Sequence, residues 1–286
     1  MIKFNLKRVK FSNNDLNRKI KIPDKLTPKL AELIGIIIGD GNIYTKDRFE
    51  LTIIGDIIED KEYHEENVTN LFKDLFSINT KSEEKYFKNG SCRRVRIKSK
   101  AVISFLINVI GLKSGRKQKI NIPKSIKYSK DKRIIYSFLR GLADTDFSIK
   151  FKTRYNKKNY YPIIIGNLCD KTLVLQLKDI LERMGFHSHI ENRTKYDKSV
   201  KKTYYSYALN IVGKENLMKW MDKIGFNNKR HLIRYSVWKT IGLCPPFTNI
   251  KKGEEIIKEH RGRIELPKRS SAGFRSTIVP PVLRDM

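Results

Sequence analysis

Residues 33–41 read Leu-Ile-Gly-Ile-Ile-Ile-Gly-Asp-Gly, and a weaker copy, Leu-Arg-Gly-Leu-Ala-Asp-Thr-Asp-Phe, occupies residues 139–147. Each copy begins as an apolar helix, contains a glycine five residues before an aspartate, and ends at that aspartate. The two aspartates are Asp40 and Asp146. An internal repeat indicates a fold assembled from two similar units. The sequence therefore predicts two helices, packed side by side, that bring Asp40 and Asp146 together.

Helical periodicity leads into both copies. Thr27 and Pro28 form a helix start, an N-cap followed by proline at the first helical position. Apolar residues then recur at helical spacing, which predicts a central buried helix. In the second copy, Ser129 is the predicted cap of a helix over residues 130–144. The apolar stripes are Leu30, Leu33, Ile34, Ile37 and Ile38 in the first copy, and Ile135, Phe138, Leu139 and Leu142 in the second.

Each copy is followed by the same order of predicted elements: hairpin, helix, hairpin and helix. The predicted fold class is α+β, with two pseudo-symmetric αββαββα half-domains and antiparallel sheets. The half-domains are predicted at residues 27–123 and 129–247, with a basic linker at about 112–128 between them. Residues 1–26 are predicted as a basic N-terminal arm, and residues 248–286 as a basic, disordered tail.

Charge dominates the composition. The 286 residues include 60 Lys+Arg against 30 Asp+Glu, a net charge of +30. Such an excess predicts a polyanionic partner, with nucleic acid favoured over an acidic membrane surface. The basic residues are spread along the chain, and no apolar run approaches the roughly 20 residues of a membrane span. We therefore expect no membrane partner.

Neither secretion nor a zinc finger is indicated. The N-terminus lacks the apolar core of a signal peptide, so an intracellular, cytoplasmic protein is expected, with an organellar origin left open. The three cysteines, Cys92, Cys169 and Cys244, are far apart and form no CxxC pair. Widely spaced cysteines in odd number are typical of reduced thiols.

The paired acids point to metal chemistry. An aspartate at a helix C-terminus is locally unfavourable, because the unpaired carbonyls there already carry partial negative charge. Two such ends side by side add like-charge repulsion, which a divalent cation would relieve. Mg²⁺ favours one or two carboxylates together with carbonyls, waters and phosphate oxygens. Asp40, Asp146 and the helix-end carbonyls of Gly39 and Thr145 are the predicted ligands of Mg²⁺ or Mn²⁺. Such a site supports hydrolysis of a phosphodiester.

Small residues on the two helices fit their close approach. Glycine and alanine allow two backbones to come nearer than leucine side chains would permit. The predicted interface residues are Gly35, Gly39, Gly141 and Ala143. For a single copy, a plain helix stop at Gly39-Asp40-Gly41 would be the better interpretation. Two copies in a strongly basic repeat make that interpretation weak.

Strand alternation places basic residues on one sheet face in each half. Apolar residues alternate with them, which predicts one face packed on helices and one face open to DNA. Phosphate contacts would supply most of the affinity there. The predicted DNA-binding residues are Arg94, Arg96 and Lys98 in the first half, and Lys150, Lys152 and Arg154 in the second.

Both copies resemble the LAGLIDADG motif of homing endonucleases, over roughly residues 27–245. The resemblance implies a monomer whose motif helices form the interface between halves and whose sheets form a DNA-binding saddle. The eighth motif position supplies the metal-binding acid, here Asp40 and Asp146. The sixth position need not be acidic, which accommodates Ile38 and Asp144. Phe147 replaces the usual final glycine and weakens the second copy.

The resemblance also suggests accessory residues. A basic residue near the end of the strand before the last helix is common in the family, and Lys98 occupies that place. Lys98 is thus a candidate catalytic residue, with a plain DNA-backbone contact as an equal alternative. Asp56 and Asn167, after the second strand of each half, resemble positions that order water at the metal.

The function expected from the resemblance is a site-specific endonuclease cutting double-stranded DNA with divalent metal. The alternative is an intron RNA maturase, or a DNA-binding regulator that has lost cleavage, on the same scaffold. An intein is disfavoured because a terminal His-Asn and flanking splicing segments are absent, so a free-standing or intron-encoded protein is expected. A generic basic protein of translation leaves the paired motifs unexplained.

Overall fold

The computed structural model contains two four-stranded antiparallel sheets. Each sheet is preceded by a helix that ends at an aspartate. The structure describes residues 3–88, 90–197 and 199–260. The predicted α+β class with two similar halves is confirmed. The turn predicted at Asn89-Gly90 includes Asn89, which lies outside the described residues.

The first half contains one four-stranded sheet and its helices. A short helix α1 precedes it, a π-helical turn at Tyr63–Val68 leads into α3, and α4 continues as a π-helical turn at Leu106–Ile110. The elements are α1 Asn13–Asn17, α2 Pro28–Asp40, β1 Gly41–Tyr44, β2 Glu50–Gly55, α3 Thr69–Phe76, β3 Ser82–Phe87, β4 Gly90–Lys98 and α4 Lys100–Phe105.

The second half repeats this order and adds two helices at its end. Its strands are longer than those of the first half. The elements are α5 Lys124–Lys127, α6 Lys132–Asp146, β5 Phe147–Arg154, β6 Lys157–Leu168, α7 Lys171–Arg183, β7 Ser188–Asp197, β8 Lys202–Val212, α8 Lys214–Lys223, α9 Lys229–Ile241 and α10 Ile250–Glu259.

The two sheets share one topology. Their strand orders are β1-β2-β4-β3 and β5-β6-β8-β7. In each, the residue after the motif aspartate opens the first strand: Gly41 pairs with Ile53, and Phe147 pairs with Gly166. This shared register lets residues of one half be matched to those of the other.

The helices α2 and α6 pack backbone to backbone. A β-carbon added to Gly35 would overlap the carbonyl oxygen of Phe138, and one added to Gly141 would overlap the carbonyl oxygen of Glu32. Only glycine permits such an approach at these two points. The halves share one continuous apolar core, to which both helices contribute. The predicted interface is therefore present, and Ala143 is buried within α6.

Several predicted boundaries are wrong. The second motif helix spans Lys132–Asp146 instead of 130–144, and its N-cap is Asp131, whose side chain accepts from the backbone N–H of Arg133 at 3.0 Å. Asp131 lies closer than Ser129 to the first turn and has a carboxylate that suits the positive end of the helix. Both motif aspartates are consequently the last residues of their helices.

Residues 3–26 pack on the first half instead of extending as an arm. The buried carboxylate of Asp15 completes a capping box with Ser12 and also accepts from the backbone N–H of Ala101 at 3.0 Å. Ile20 and Leu26 enter the core. The sequence lacks periodicity here because the segment is held by caps and single apolar contacts.

The segment predicted as a disordered tail begins with a helix. Asn249 caps α10, and Gly253 packs against Ile233 of α9. Residues 261–286 of the predicted tail lie outside the described part of the chain. Among the helices described, none is both long and apolar enough to cross a bilayer.

Candidate metal centre and nucleic-acid interface

The C-terminal ends of α2 and α6 meet, and this brings the two motif aspartates together. A β-carbon on Gly39 would overlap the hydroxyl of Thr145 and would lie 3.3 Å from the Oδ2 atom of Asp146. The absence of a side chain at Gly39 thus makes room for the end of α6. The predicted meeting of Asp40 and Asp146 is what the helix packing produces.

Burial perturbs both carboxyl groups. Desolvation, followed by the charges of Asp146 and Asp60, raises the pKa of Asp40 to about 7. Desolvation raises the pKa of Asp146 to about 6, against the opposing charges of Lys117 and Arg230. Within the described residues, neither carboxylate accepts a hydrogen bond. A cation close to these two acids would stabilise their charged forms.

A lysine from the linker contacts the end of α2. The ammonium of Lys117 donates to the carbonyl of Ile38 at 2.9 Å and also to the carbonyl of Gly39. Lys117 is exposed as a residue, but its ammonium lies among protein atoms at the helix end, and this desolvation lowers its pKa. The charges of Asp146 and Asp40 act in the opposite direction. Lys117 is thus a cation whose charge acts on both acids.

An arginine from α9 contacts the end of α6 in the corresponding way. The guanidinium of Arg230 donates to the carbonyls of Asp144 and Thr145, both at 2.8 Å. It also forms an ion pair with buried Asp60 of the first half at 3.2 Å. Each motif helix thus ends against a side-chain cation, which offsets the negative end of its dipole.

The sixth motif position of the second half has a structural role. Asp144 is fully buried, and its Oδ1 accepts from the backbone N–H groups of Asn227 at 2.9 Å and Asn228 at 3.0 Å. Desolvation raises its pKa to about 8 despite these hydrogen bonds. Asp144 fastens the loop before α9, and through it Arg230, to the end of α6.

The residues present fit a hard divalent cation with few protein ligands. Among residues 3–88, 90–197 and 199–260, no group of three or more His, Cys, Asp or Glu could hold a metal by itself. Asp40 and Asp146 supply two carboxylates, a number that suits Mg²⁺ when waters and phosphate oxygens complete its shell. The carbonyls of Gly39 and Thr145, predicted as further ligands, are already bound by Lys117 and Arg230. The carboxylates are the stronger candidates.

The second half of the chain is similar to a known protein family. Residues 133–225 match the family described as LAGLIDADG-like domain. The second half-domain is LAGLIDADG-like. The resemblance to LAGLIDADG homing endonucleases found in the sequence is therefore confirmed, and the first half repeats the same topology around Asp40.

Two curated proteins of Methanocaldococcus jannaschii are similar to this chain. Replication factor C small subunit is 28% identical over 226 residues, which are 74% of this chain and 11% of that protein. An uncharacterized protein is 25% identical over 229 residues, covering 77% of this chain and 75% of its relative. The chain thus spans about a tenth of the length of the first relative and three quarters of the second.

Solved structures with a similar fold include two kinds of protein. I-DmoI in complex with DNA and Mn is 18% identical, covering 70% of this chain and 98% of that one, with a TM-score of 0.45. Full-length DUF199/WhiA from Thermatoga maritima is 14% identical, covering 91% of this chain and 66% of that one, with a TM-score of 0.45.

The strand register sets the predicted catalytic residue Lys98 three residues of β2 away from Gly41, the residue that follows Asp40. Lys98 pairs with Glu50, whereas Gly41 pairs with Ile53, three residues further along β2. Three residues of strand correspond to about 10 Å. The lysine that the fold does bring to the acids is Lys117, which the sequence pattern presented only as one of several linker lysines. Both suggested roles of Lys98, in catalysis and as a DNA-backbone contact, stay predictions.

The predicted water-positioning residues are not equivalent. The registers Gly41–Ile53 and Phe147–Gly166 match Asn167 with Ile54. Asn167 is exposed and accepts from Arg193 at 3.0 Å, while Asp56 accepts from the backbone N–H groups of Ile58 and Glu59. Both side chains are engaged locally, and their suggested role stays a prediction.

The basic sheet face of the first half has the predicted alternation. Val95 and Ile97 are buried, whereas Arg96 and Lys98 are exposed. The same face also carries two acids, Glu83 and Glu50. Arg94 pairs with Glu83 at 3.3 Å, and Glu50, cross-strand from Lys98, is buried beside Arg48 at 3.8 Å.

In the second half, Lys150, Lys152 and Arg154 are exposed as predicted. Arg154 lies over the rings of Tyr155 and Tyr161, at 4.9 and 4.7 Å. Opposite Lys150 on the same face, Ile163 belongs to a small apolar cluster. The cluster consists of Ile163, Ile165 and Ala208. This face therefore combines a basic margin with an apolar centre.

Proposed function

We propose that this LAGLIDADG chain is a site-specific endonuclease that hydrolyses phosphodiester bonds of double-stranded DNA. The observation that carries the proposal is the pair of buried carboxyl groups at the meeting ends of α2 and α6, both with raised pKa. Folding gains nothing from such a pair, because each acid disfavours the charged form of the other. A reaction that depends on a divalent cation would account for this arrangement, because the two carboxylates would hold the cation.

Asp40 and Asp146 would hold Mg²⁺ or Mn²⁺. When bound there, the cation supplies activation of water and stabilisation of the leaving oxygen. The chain itself would hold the duplex through the exposed basic side chains of its two sheets, and a net charge of +30 would draw the duplex in. The protein is expected to act as a monomer, since the two helices that form the centre belong to one chain.

The test is cleavage of plasmids that carry candidate intron-insertion sites, with Mg²⁺ and the full chain. Asp40→Asn and Asp146→Asn should each lower cutting by more than about 100-fold, because even residues that merely support a metal ligand are worth 10–100-fold. Asp179→Asn, an exposed acid on α7 paired with Arg183 at 3.5 Å, is the matched control and should cut normally. Undiminished cutting by both site variants would overturn the assignment.

A DNA-binding regulator that does not cleave is the second candidate. One observation favours it: the helix-end carbonyls already carry Lys117 and Arg230, so the charge of the acid pair is partly offset without any metal. Tight binding to a defined site without cutting, at every Mg²⁺ or Mn²⁺ concentration tried, would select this candidate. Intron RNA as a partner would show instead as binding to folded intron transcript.

A further inference from the structure

The linker between the half-domains is fastened to both of them. In the first half, the backbone N–H of Gly115 donates to the carbonyl of Ile43 at 2.9 Å. In the second half, the side chain of Gln176 accepts from the N–H of Ile122 and donates to the carbonyl of Ile120, both at 3.2 Å. The segment from Gly115 to Ile122 is therefore held across the junction of the halves. These hydrogen bonds fix the position of the linker residues that lie between them.

Between the anchors, Lys117 turns inward. Its ammonium reaches the last carbonyls of α2 and lies in the field of both motif acids. The same positions, two carboxylates and a helix-end carbonyl, are where a divalent cation would bind. Lys117 thus provides at the end of α2 the positive charge that a metal would otherwise provide.

The contacts of Lys117 are fewer than those of Arg230. Arg230 is tied to Asp60 as well as to carbonyls, and Asp60 is itself held by Asn228 at 2.6 Å. The hydrogen bonds of the Lys117 ammonium go to the two carbonyls of α2. A cavity of about 80 Å³ lies beside it, lined by residues that include Ile37, Ile43 and Leu112. Arg230 could not leave α6 without breaking its ion pair with buried Asp60, whereas Lys117 is held at α2 by two carbonyls.

We propose that Lys117 is an internal competitor of the divalent cation, holding the end of α2 until the cation displaces it. The inference rests on the proposed function, in which Asp40 and Asp146 bind the metal. Its consequence is that the linker sets the metal affinity of the site. While the ammonium is bonded to the carbonyl of Gly39, that carbonyl is closed to a cation that Asp40 and Asp146 would hold.

The experiment is direct titration of the full chain with Mn²⁺, without DNA, followed by the electron paramagnetic resonance signal of free Mn²⁺. Lys117→Met should bind Mn²⁺ about tenfold more tightly than the unmodified chain, the ratio that corresponds to about 1.4 kcal/mol. Lys117→Gln is the second variant and should shift the affinity in the same direction. Lys119→Met, from the same linker, is the control and should bind as the unmodified chain does.

Asp40→Asn separates this inference from the proposed function. If Asp40→Asn abolishes Mn²⁺ binding but Lys117→Met and Lys117→Gln bind no more tightly than the unmodified chain, the competitor role is overturned and the metal site stands. If Asp40→Asn leaves binding unchanged, the metal site and the competitor role both fall. Far-ultraviolet circular dichroism of each variant verifies that the fold is intact.

Discussion

At the end of α2, the last carbonyls accept from a lysine of the linker, whereas at the end of α6 they accept from an arginine of α9. The acids and the helix geometry repeat, but the neutralising cations come from unrelated parts of the chain. Arg230 belongs to a buried network with Asp60 and Asn228. Lys117 comes from a surface segment. One helix end is therefore bound into a buried network, whereas the other is covered by a lysine that we propose a divalent cation displaces.

The largest expected difference between the two cations is in stability. Arg230→Met should lower the free energy of unfolding by about 3 kcal/mol, because it strands the buried charge of Asp60. Lys117→Met should cost only about 1 kcal/mol, because the Lys117 ammonium donates to two carbonyls of α2, whereas Arg230 is also ion-paired with buried Asp60. Urea unfolding followed by fluorescence measures both. Arg234→Met, one turn along α9 with a hydrogen bond to the carbonyl of Thr248 at 2.9 Å, is the control for Arg230. Equal losses for Lys117 and Arg230 would contradict the proposed difference.

The sixth motif position provides a second contrast, since Asp144 faces the loop before α9 where the first half has Ile38. The folded-state pKa of Asp144, about 8, lies above its usual value, so the protonated form favours the fold. That stability is complete below the unfolded pKa near 4 and is lost as pH rises towards 8.

Asp144→Asn removes this titrating group, and the unfolding free energy between pH 6 and 8 should show its loss. One pH unit of perturbed titration corresponds to about 1.4 kcal/mol. The fall in unfolding free energy from pH 6 to 8, measured in EDTA, should therefore be about 2 kcal/mol smaller in Asp144→Asn than in the unmodified chain. Asp179→Asn should leave the fall unchanged. The same slope in Asp144→Asn would show that Asp144 is charged throughout this range.

The sequence alone was sufficient for the architecture and for the acid pair. The repeat of glycine and aspartate, with helical stripes before it, determined α2, α6 and their contact, since these depend on local periodicity. Lys117 and Arg230 were missed because each is one cation among 60, and its position depends on tertiary contacts. Asn167 corresponds to Ile54 and not to Asp56 because of how the strands pair. The sequence does not show this pairing, because the loops of the two halves differ in length. The packed segment before α2 was missed for a similar reason, since Asp15 acts through a distant backbone N–H.

The smallest expected effect is the coupling between the residues before the two motif acids, Gly39 in the first half and Thr145 in the second. Gly39→Ala should lower the free energy of unfolding by about 1–3 kcal/mol, because its β-carbon would overlap the Thr145 side chain. Thr145→Gly removes that obstacle, so Gly39→Ala in this background should cost at least about 1 kcal/mol less, a coupling typical of residues in contact. A double-mutant cycle from urea unfolding measures the coupling. Additive losses would mean that the helix ends separate to admit the alanine, and the close meeting of Asp40 and Asp146 would then depend on more than the missing side chain at Gly39.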